Sequence, residues 1–583
     1  MFYSDYVWQL ISLVLLGYFW GGFPWGLMIV RAKTGIDLLE VGSGSIGATN
    51  VERVLGKKWG YIVQAVDALF KGALPIFLLQ NLPHSNSVPI ALFGAGILLG
   101  HSYSPYIGLR GGKSAATTVG IILTVSPLIA VACYLFWFKT KRKMVKKEKP
   151  EATAIASIRT AILMAVLCAI FLHDPVFKIF FVLVACHVIF AHRANIHRIK
   201  YEPLATDNIP TGCFMTDAAS NDPVKIREHL ARKYGFAKHI PLGFFTSSLF
   251  HLLPLSKLKL GEEVVTGANG KKARVIIWGF PWTPKQMQEN PKKAIKHLVK
   301  LARYLEKRGA QALGLGAFTA IVYDKGLTLA ESVAIPVTNG NRLTGGLAAI
   351  SSLVAAEKMG WGKPDQITAT VIGAGGSVGR ACCEILLKNG IEYLFVVGRR
   401  PNSLTKLVTD LNIRYNALNS PDGFHVQEVS LEEAVRQSHV IIAATSSDRE
   451  LTIDPSWLID GAVITDMARP RNISKELADI MRLLPNDGAT AHFDAEGKEG
   501  LGLPEGIHFP CLSELVLFLL EGWDFDWVTA PKLEEIELAL EAFDRNGFEI
   551  AGLRLQEQPL SWEEAARRCR FADRIREGRK QVR

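Results

Sequence analysis

Long apolar runs crowd the first two hundred residues of this 583-residue chain, and a strand–glycine turn–helix segment, TATVIGAGGSVGRACCEILLKNG at 368–390, sits in a remainder that alternates charged and apolar stretches. These two observations predict a multi-pass α-helical membrane domain fused to an α/β module of the Rossmann-like kind. The expected divisions are a polytopic membrane domain over 1–204, an α/β substrate domain over 205–345, a dinucleotide-binding domain with a cysteine region over 346–530, and a charged helical tail over 531–583.

In the membrane half, residues 6–30 are apolar and aromatic-rich, long enough to span a bilayer at about 1.5 Å rise per residue. A polar loop over 31–60 precedes apolar stretches near 61–80 and 85–100; a second polar loop at 101–117 leads into an expected span over 118–138. After the basic run KTKRKMVKKEK at 139–149, the apolar residues 161–191 form one long helix or a pair of short ones. Placing both the basic run and the soluble half in the cytoplasm requires an even number of crossings between them, or a broken helix, so five to seven spans are expected. The formal net charge is +11, and its clustering beside apolar segments points to anionic lipid rather than nucleic acid. No Lys or Arg precedes the first apolar run and no small-residue cleavage site follows it, so that segment is expected to be retained. Eight scattered cysteines without C-x-x-C spacing indicate neither a disulfide framework nor a metal site, and a reducing cytoplasm for the soluble half.

The two polar loops, GSGSIGATNVERVLGKK at 42–58 and HSYSPYIGLRGGKSAATTVG at 101–120, combine glycine with hydroxyls and cations. Glycine lets backbone N–H groups converge on an anion. Ser43, Ser45, Thr49 and Asn50 add polar atoms, while Arg53, Lys58, Arg110 and Lys113 add positive charge, which suits a phosphate at the membrane surface. Asp67 and Lys71, one turn apart in an apolar helix, should face the interior as a pair or toward substrate. His101 is a candidate base, and HRANIHRI at 192–199 returns Arg193, Asn195 and Arg198 to the same surface.

Residues 5–203 resemble the bacterial acyl-phosphate:glycerol-3-phosphate acyltransferase family of inner-membrane enzymes. The family's G-S-G-N-x-G-A-T-N stands here as Gly42 to Asn50, its D-x-x-K-G as Asp67, Lys71 and Gly72, its H-x-x-P and F-K-G-G-K-G as His101, Gly111, Gly112 and Lys113 with Pro105 one place late, and its R-x-N-I-x-R as Arg193, Asn195, Ile196 and Arg198. Three positions depart: Ser45 replaces an asparagine, Arg110 a lysine and Ser114 a glycine. The resemblance implies acyl transfer from acyl phosphate to glycerol 3-phosphate without cofactor, with His101 and Asn195 in the catalytic set, in a multi-pass protein of the bacterial inner membrane.

In the soluble half, ARVIIWGF at 273–280 reads as a strand, 291–308 as a helix, GLGAFTAIV at 314–322 as strand-like and 344–360 as a helix; 205–230 carries no strong pattern beyond a helix at 223–234. The turn Gly373, Gly375, Gly376, Ser377, Val378 and Gly379 opens a helix after a five-residue strand, the context a dinucleotide site requires. The next strand ends in Arg399 and Arg400 rather than an acid, which suits a 2′-phosphate and so NADPH. Cys511, one residue after Pro510 at the start of an apolar helix, is placed where a thiolate is stabilised; Ser513, Glu514 and His508 are near in sequence. Burial as a core thiol is the competing assignment for Cys511, and it is the one given to Cys382 and Cys383.

Residues 235–525 resemble the cyanobacterial long-chain fatty acyl-(acyl-carrier-protein) reductase family in the order of GLGAFTAI at 314–321, TNGNRLT at 338–344, the glycine turn and the C-x-x-E of Cys511 and Glu514. The resemblance implies a Rossmann-like reductase module in the cytoplasm that makes fatty aldehyde through an acyl-cysteine, with acyl-carrier protein or acyl-CoA as donor. Asn339, Asn341 and Thr344 are candidates for orienting the acyl carbonyl or nicotinamide, and Asp324 and Lys325 read as a turn. A membrane anchor with an inactive acyltransferase half, an acyltransferase with an NADPH-sensing domain, and the presence or absence of homo-oligomers all stay open at this level.

Overall fold

The computed structural model describes residues 2–41, 44–83, 85–146, 151–217, 224, 226–228, 231, 238–243, 259–399, 401–416, 425–445, 451, 453–467, 472–498, 503–555 and 558–581. The chain divides into two compact units, Met1–Glu202 and Pro203–Arg583.

Unit 1 is all helix. Asp5–Thr34, Lys57–Gln80 and Ala152–Phe171 are long and apolar enough to cross a bilayer, and the bent pair Pro175–Ala191 with Arg193–Lys200 makes a fourth. Among the described residues this gives three, or four with the bent pair as one span, where five to seven were expected; the other apolar stretches lie in the shorter Ser87–Ser102 and Ala115–Val125 and in Pro127–Lys146, whose C-terminal part carries the basic run. The stretch 118–138 is two helices, Ala115–Val125 and Pro127–Lys146. Pro127 pushes Ser126 out of the helical region, and Ser126 is extended at φ −150°. The basic run is not a loop at its start: residues 139–146 continue the helix, and 147–150 lie outside the described residues. Residues 161–191 resolve into the pair Ala152–Phe171 and Pro175–Ala191, separated before Pro175.

Two glycine seams hold the helices of unit 1 close. A Cβ on Gly100 would lie 1.9 Å from the Tyr18 carbonyl oxygen and one on Gly21 would lie 2.0 Å from that of Ile97, so Phe2–Gly22 and Ser87–Ser102 touch backbone to backbone. Such small-residue contacts replace the hydrophobic drive that is absent inside a bilayer. A Cβ on Gly120 would meet the Ala68 carbonyl oxygen at 1.8 Å, and this second contact brings Ala115–Val125 against the π-helical segment Val66–Ala73. Large apolar side chains such as Leu16, Leu128, Leu135 and Leu183 stay exposed on the outside, as a lipid-facing surface requires.

Unit 2 is built on two six-stranded sheets. The first comprises β1 (Thr211–Thr216), β2 (Lys259–Thr266), β3 (Lys272–Gly279), β4 (Ala312–Leu315) and β5 (Val337–Thr338), with a later edge strand at Ala495–Lys498. β1 lies inside this sheet, parallel to both β3 and β4. The sequence expectation of no pattern across 205–230 therefore misses a central strand. All six residues of β1 are buried, and a strand covered on both faces shows no in–out alternation. The expected helix at 223–234 lies mostly outside the described residues.

The second sheet is wholly parallel. Its strands are β6 (Thr368–Ile372), β7 (Tyr393–Val397), β8 (His425–Glu428), β9 (Val440–Ala443), β10 (Val463–Asp466) and β11 (Leu484–Asn486), in the order β11-β10-β9-β6-β7-β8. The strand order reverses at β6, and such a switch point opens a crevice at the carboxyl ends of β6 and β9. The helix Asn341–Lys358 joins the two sheets: Leu343 and Leu347 belong to the core of the first, Ala348, Ala349, Ala355 and Ala356 to that of the second. Leu533–Arg545, expected as part of a charged tail, instead buries Ile536, Ala539, Ala542 and Phe543 against these cores.

Gly100→Ala should overpack the first seam and lower unit 1 stability by about 1–3 kcal/mol. Thermal unfolding in detergent checks it; an unchanged midpoint would contradict the backbone contact.

Candidate functional site

In unit 1, the segment Val66–Ala73 carries Asp67 and Lys71 inward, with 3% and 1% of their surface exposed. Lys71 Nζ lies 3.3 Å from Asp67 Oδ1 and 3.3 Å from His101 Nδ1, and Thr117 Oγ1 is 3.5 Å from the same ring nitrogen. The opposite edge of the ring faces Gly112, where a Cβ would fall 2.0 Å from His101 Nε2, and the Gly112 N–H donates to the His101 carbonyl at 2.8 Å. Charge, imidazole and glycine loop are thus assembled as one unit, with His101 between the buried pair and the loop.

The second cluster stands at the other end of the motifs. Asn195 Nδ2 donates to Glu151 Oε2 at 2.7 Å, and Arg198 Nε to Glu151 Oε1 at 2.7 Å. Asn195 is buried, yet among the described residues its Oδ1 has no hydrogen-bond partner. Burial pulls the Lys113 ammonium down to about 8; Arg198 and Arg53 lower it further and Glu151 opposes them, so these four charges share one locality. Glu151 is the carboxylate that orients Asn195 and Arg198 near the Lys113 ammonium, a grouping of charge and amide whose chemistry suits an anion. Sequence reasoning missed Glu151, an acid just past the basic run, after Pro150.

Other expected residues of unit 1 are placed differently. Asn50 spends its amide on the Leu38 and Val41 carbonyls at 3.1 and 2.9 Å, pinning the first loop rather than presenting donors to a ligand. Ser45 Oγ accepts from the Gly47 N–H at 3.4 Å. Thr49 is half-buried and Arg53 exposed on Ala48–Leu55, and Lys58 and Arg110 are exposed. Arg193 is exposed and lies over the Phe190 ring at 4.7 Å, apart from the Glu151 clamp. Ser43 lies outside the described residues. Ser114 takes φ +56°, a conformation that glycine adopts without strain, which explains the glycine this serine replaces. Its hydroxyl is held by Ser102 Oγ at 2.7 Å and donates to the Leu98 carbonyl at 2.9 Å.

In unit 2, Cys511 is the second residue of the helix Pro510–Glu521 and is partly exposed. Gly340, at φ +72°, abuts it so closely that a Cβ would lie 2.2 Å from Cys511 Cβ; any side chain there would displace the cysteine. Glu514, one turn on, is fully buried: its carboxylate accepts from Thr338 Oγ1 and from the Leu343 N–H at 2.7 Å. Burial pushes the Glu514 carboxyl up from its ordinary value, while Arg342 and these hydrogen bonds oppose the rise. Glu514, a catalytic candidate by its C-x-x-E place in the sequence, thus has its carboxylate occupied by the 338–343 segment, which it ties to the cysteine helix. His508 is turned away, stacked on Phe493 at 3.9 Å with burial pulling it down to about 4.

Asn339 likewise supports the segment from within, donating to the Lys325 and Val528 carbonyls at 3.3 and 3.2 Å. Thr344 Oγ1 donates to the Gly340 carbonyl at 2.6 Å, and Asn341 is buried at the helix start. Arg342, missed in the sequence, is wholly buried and binds Glu535 through Nε and Nη2 at 3.1 and 2.8 Å. Lys325, expected to be a mere turn residue, donates from Nζ to Ser377 Oγ at 3.2 Å, so it reaches from the first sheet's loop to the glycine turn after β6. Tyr323 and Lys325 both hold positive φ, +62° and +63°, and strain of that kind concentrates at functional segments.

The glycine turn fits a dinucleotide. No side chain caps the helix Ser377–Lys388, and a Cβ on Gly375 would find nothing nearer than Ser403 Oγ at 3.4 Å, so the helix N-terminus is open to an anion. On its other side Gly379 packs within contact of Gly373, where a Cβ would meet a carbonyl oxygen at 2.4 Å, while the side chain of Val378 packs on the core. Arg399 is exposed past the end of β7; Arg400 lies outside the described residues. Cys382 is a core thiol that burial pushes up to about 12.

Residues 11–202 match the family described as glycerol-3-phosphate acyltransferase, and 354–484 match shikimate / quinate 5-dehydrogenase. A glycerol-3-phosphate acyltransferase of Roseiflexus sp. (strain RS-1) is 37% identical over 190 residues, covering 33% of this chain and 91% of that protein. One from Aquifex aeolicus (strain VF5) is 36% identical over 193 residues, covering 32% and 94%. A crystal structure of PlsY (YgiH), an integral membrane glycerol 3-phosphate acyltransferase in its glycerol 3-phosphate form, is 31% identical, covers 33% of this chain and 91% of that one, and has a TM-score of 0.30. The parallel sheet of unit 2 is of the dehydrogenase type, which suits a nicotinamide cofactor.

Two outcomes follow from this geometry. Because a Lys113 held near 8 is neutral above that pH, phosphate binding to unit 1 should weaken as pH rises through about 8, and Lys113→Arg should remove this alkaline limb in a binding titration. Glu514→Gln turns an amide N–H toward a backbone or hydroxyl donor and should cost about 1–3 kcal/mol in denaturant unfolding of unit 2; a neutral result would mean the strut is dispensable.

Proposed function

The chain belongs, through residues 11–202, to the glycerol-3-phosphate acyltransferase family, and we propose that it couples two fatty-acyl reactions in one polypeptide. Unit 1 transfers an acyl group from acyl phosphate to glycerol 3-phosphate. Unit 2 reduces a long-chain acyl thioester, carried by acyl-carrier protein or CoA, to the aldehyde with NADPH.

For the first reaction, Lys113, Arg53 and Arg198 hold the phosphates, with Asn195 held in place by Glu151. The acceptor hydroxyl attacks the acyl carbonyl, the carbon–oxygen bond to phosphate breaks, and phosphate leaves with the electron pair. His101, braced by Asp67, Lys71 and Thr117, takes the hydroxyl proton, and the loop N–H groups stabilise the charge that develops on the carbonyl oxygen. Acyl phosphate is already activated, so no covalent enzyme intermediate is required.

The observation that carries the second reaction is the continuous path from Cys511 to the glycine turn. Cys511 abuts Gly340, Asn339 ties to the Lys325 carbonyl, and the Lys325 ammonium reaches Ser377. Cys511 Sγ attacks the thioester carbonyl; the donor's C–S bond breaks, its thiol leaves with a proton, and the acyl group stays on Cys511. Held at the glycine turn 373–379, a nicotinamide would supply the hydride. Lys325 steadies the oxygen as it gains charge, and collapse regenerates the Cys511 thiolate and frees the aldehyde. Arg399 favours the 2′-phosphate of NADPH. The likeness of 354–484 to shikimate / quinate 5-dehydrogenase allows a second reading, hydride exchange with a small hydroxy acid, but such a reaction has no use for a cysteine pressed against the substrate segment.

Liposome-reconstituted protein given long-chain acyl-carrier protein and NADPH should release aldehyde; Cys511→Ala should release none while keeping glycerol 3-phosphate acylation. Lys325→Met should still form the acyl-cysteine, seen as a mass shift on the peptide, yet slow its reduction by about 10²–10⁴-fold. Aldehyde formation that survives in Cys511→Ala would refute the covalent route.

A further inference from the structure

The helix Pro291–Glu306 sends Ala294, Ile295, Leu298, Leu301, Ala302 and Leu305 into the core of unit 2. Its opposite face is a single row of cations: Lys292, Lys293, Lys296, Lys300 and Arg303, continued by Lys307, all exposed. Their spacing of three or four residues stacks them along one side, where like charges repel. The helix has no acid in its first turn, and among the described residues Lys292, Lys293, Lys296 and Lys300 make no ion pair. Glu306, the acid at its end, is occupied instead, accepting from the Ala334 N–H at 2.6 Å. Four exposed lysines without an ion pair on one face present a strongly positive field to a partner.

The row ends at the stretch Ser332–Ala334. Arg303 Nε donates to the Ser332 carbonyl at 3.0 Å, and Glu306 holds Ala334, so the helix is fastened to the stretch that runs from Lys325 to Asn339. The apolar face is spent in the core, which leaves nothing to insert into a bilayer as an interfacial helix does. What remains is charge alone, in a line beside the segment that walls Cys511.

We propose that this cationic row is the docking surface for an acidic acyl-carrying protein that presents its thioester to Cys511; the inference rests on the acyl-thioester reading above. A carrier that holds its cargo on a long flexible arm binds beside the site rather than within it, and complementary charge speeds its approach in a salt-dependent way. A small thioester such as acyl-CoA makes no such contact and does not depend on the row.

The test compares the full chain in neutral-lipid nanodiscs with the quadruple variant Lys292→Gln, Lys293→Gln, Lys296→Gln, Lys300→Gln, whose exposed positions should leave the unfolding midpoint unchanged. Acylation of Cys511 is followed with acyl-carrier protein and with acyl-CoA as donors. The expected result is a KM for the carrier raised about tenfold, with its salt dependence flattened and kcat and acyl-CoA kinetics unchanged. Equal carrier KM in parent and variant, or an equal loss with both donors, overturns the proposal. If the parent acylates Cys511 with neither donor, the reductase reading fails on its own. Fluorescent carrier binding then decides the surface: loss in the variant upholds it and equal binding overturns it. Row-dependent association with anionic vesicles, without any carrier effect, overturns it in favour of lipid.

Discussion

An ionised side chain removed from water must find partners at once, and both units of this chain are organised around groups that meet that demand. In unit 1 the Asp67–Lys71 pair lies inside a helical bundle, and its charge is shared with His101. In unit 2 Glu514 is enclosed and answered by Thr338, by the Leu343 N–H and by the field of Arg342. Removing one member leaves the other charged and buried, so each arrangement dictates where its neighbours stand. Asp67 and Lys71 sit on the π-helical turn Val66–Ala73, and Glu514 meets the start of Asn341–Lys358.

Around those fixed charges stand places where the backbone comes unusually close. The loop at Gly111 and Gly112 presses on His101, and Gly340 presses on Cys511. A side chain at either point would push the reactive group aside, so glycine there acts through what it omits. The strained Tyr323–Lys325 stretch does the complementary job, delivering a lysine from one sheet to the glycine turn of the other. Neither sheet alone holds both the cysteine and the dinucleotide turn, and Asn341–Lys358, with one end in each core, keeps them in register.

Much of this was legible beforehand, for identifiable reasons. Residues 161–191 read equally as one long helix or a pair, and the structure has the pair, while the parallel sheet and the glycine turn announced themselves through period, length and turn chemistry. The central strand β1 did not, because a strand buried on both faces has no alternation to read. The single span expected over 118–138 failed at Pro127, a local breaker outweighed by the surrounding apolar run. The site residues divide in a similar way. Residue types picked out His101, Lys71 and Cys511 as candidates, and folding sets each against a neighbouring element, but spacing gave no hint that Asn50 and Asn339 turn their amides onto backbone carbonyls.

The sequence by itself determined which chemistries were present: an apolar half able to live in lipid, two cationic glycine loops, a dinucleotide turn and a cysteine at a helix start. These are properties of residue type and local order, and they survive in any arrangement of the chain. Only the tertiary structure decided the roles, because a role depends on which partner takes up a polar atom. Glu151 and Glu535 come from segments that read as featureless charge, yet one orients Asn195 and Arg198 and the other answers a buried arginine. Lys325 and Ser377 are 52 positions apart and read as unrelated turns, and folding makes them neighbours. Contacts between residues far apart in the chain leave no periodicity in the sequence, and it is those contacts that separate a reactive side chain from a supporting one.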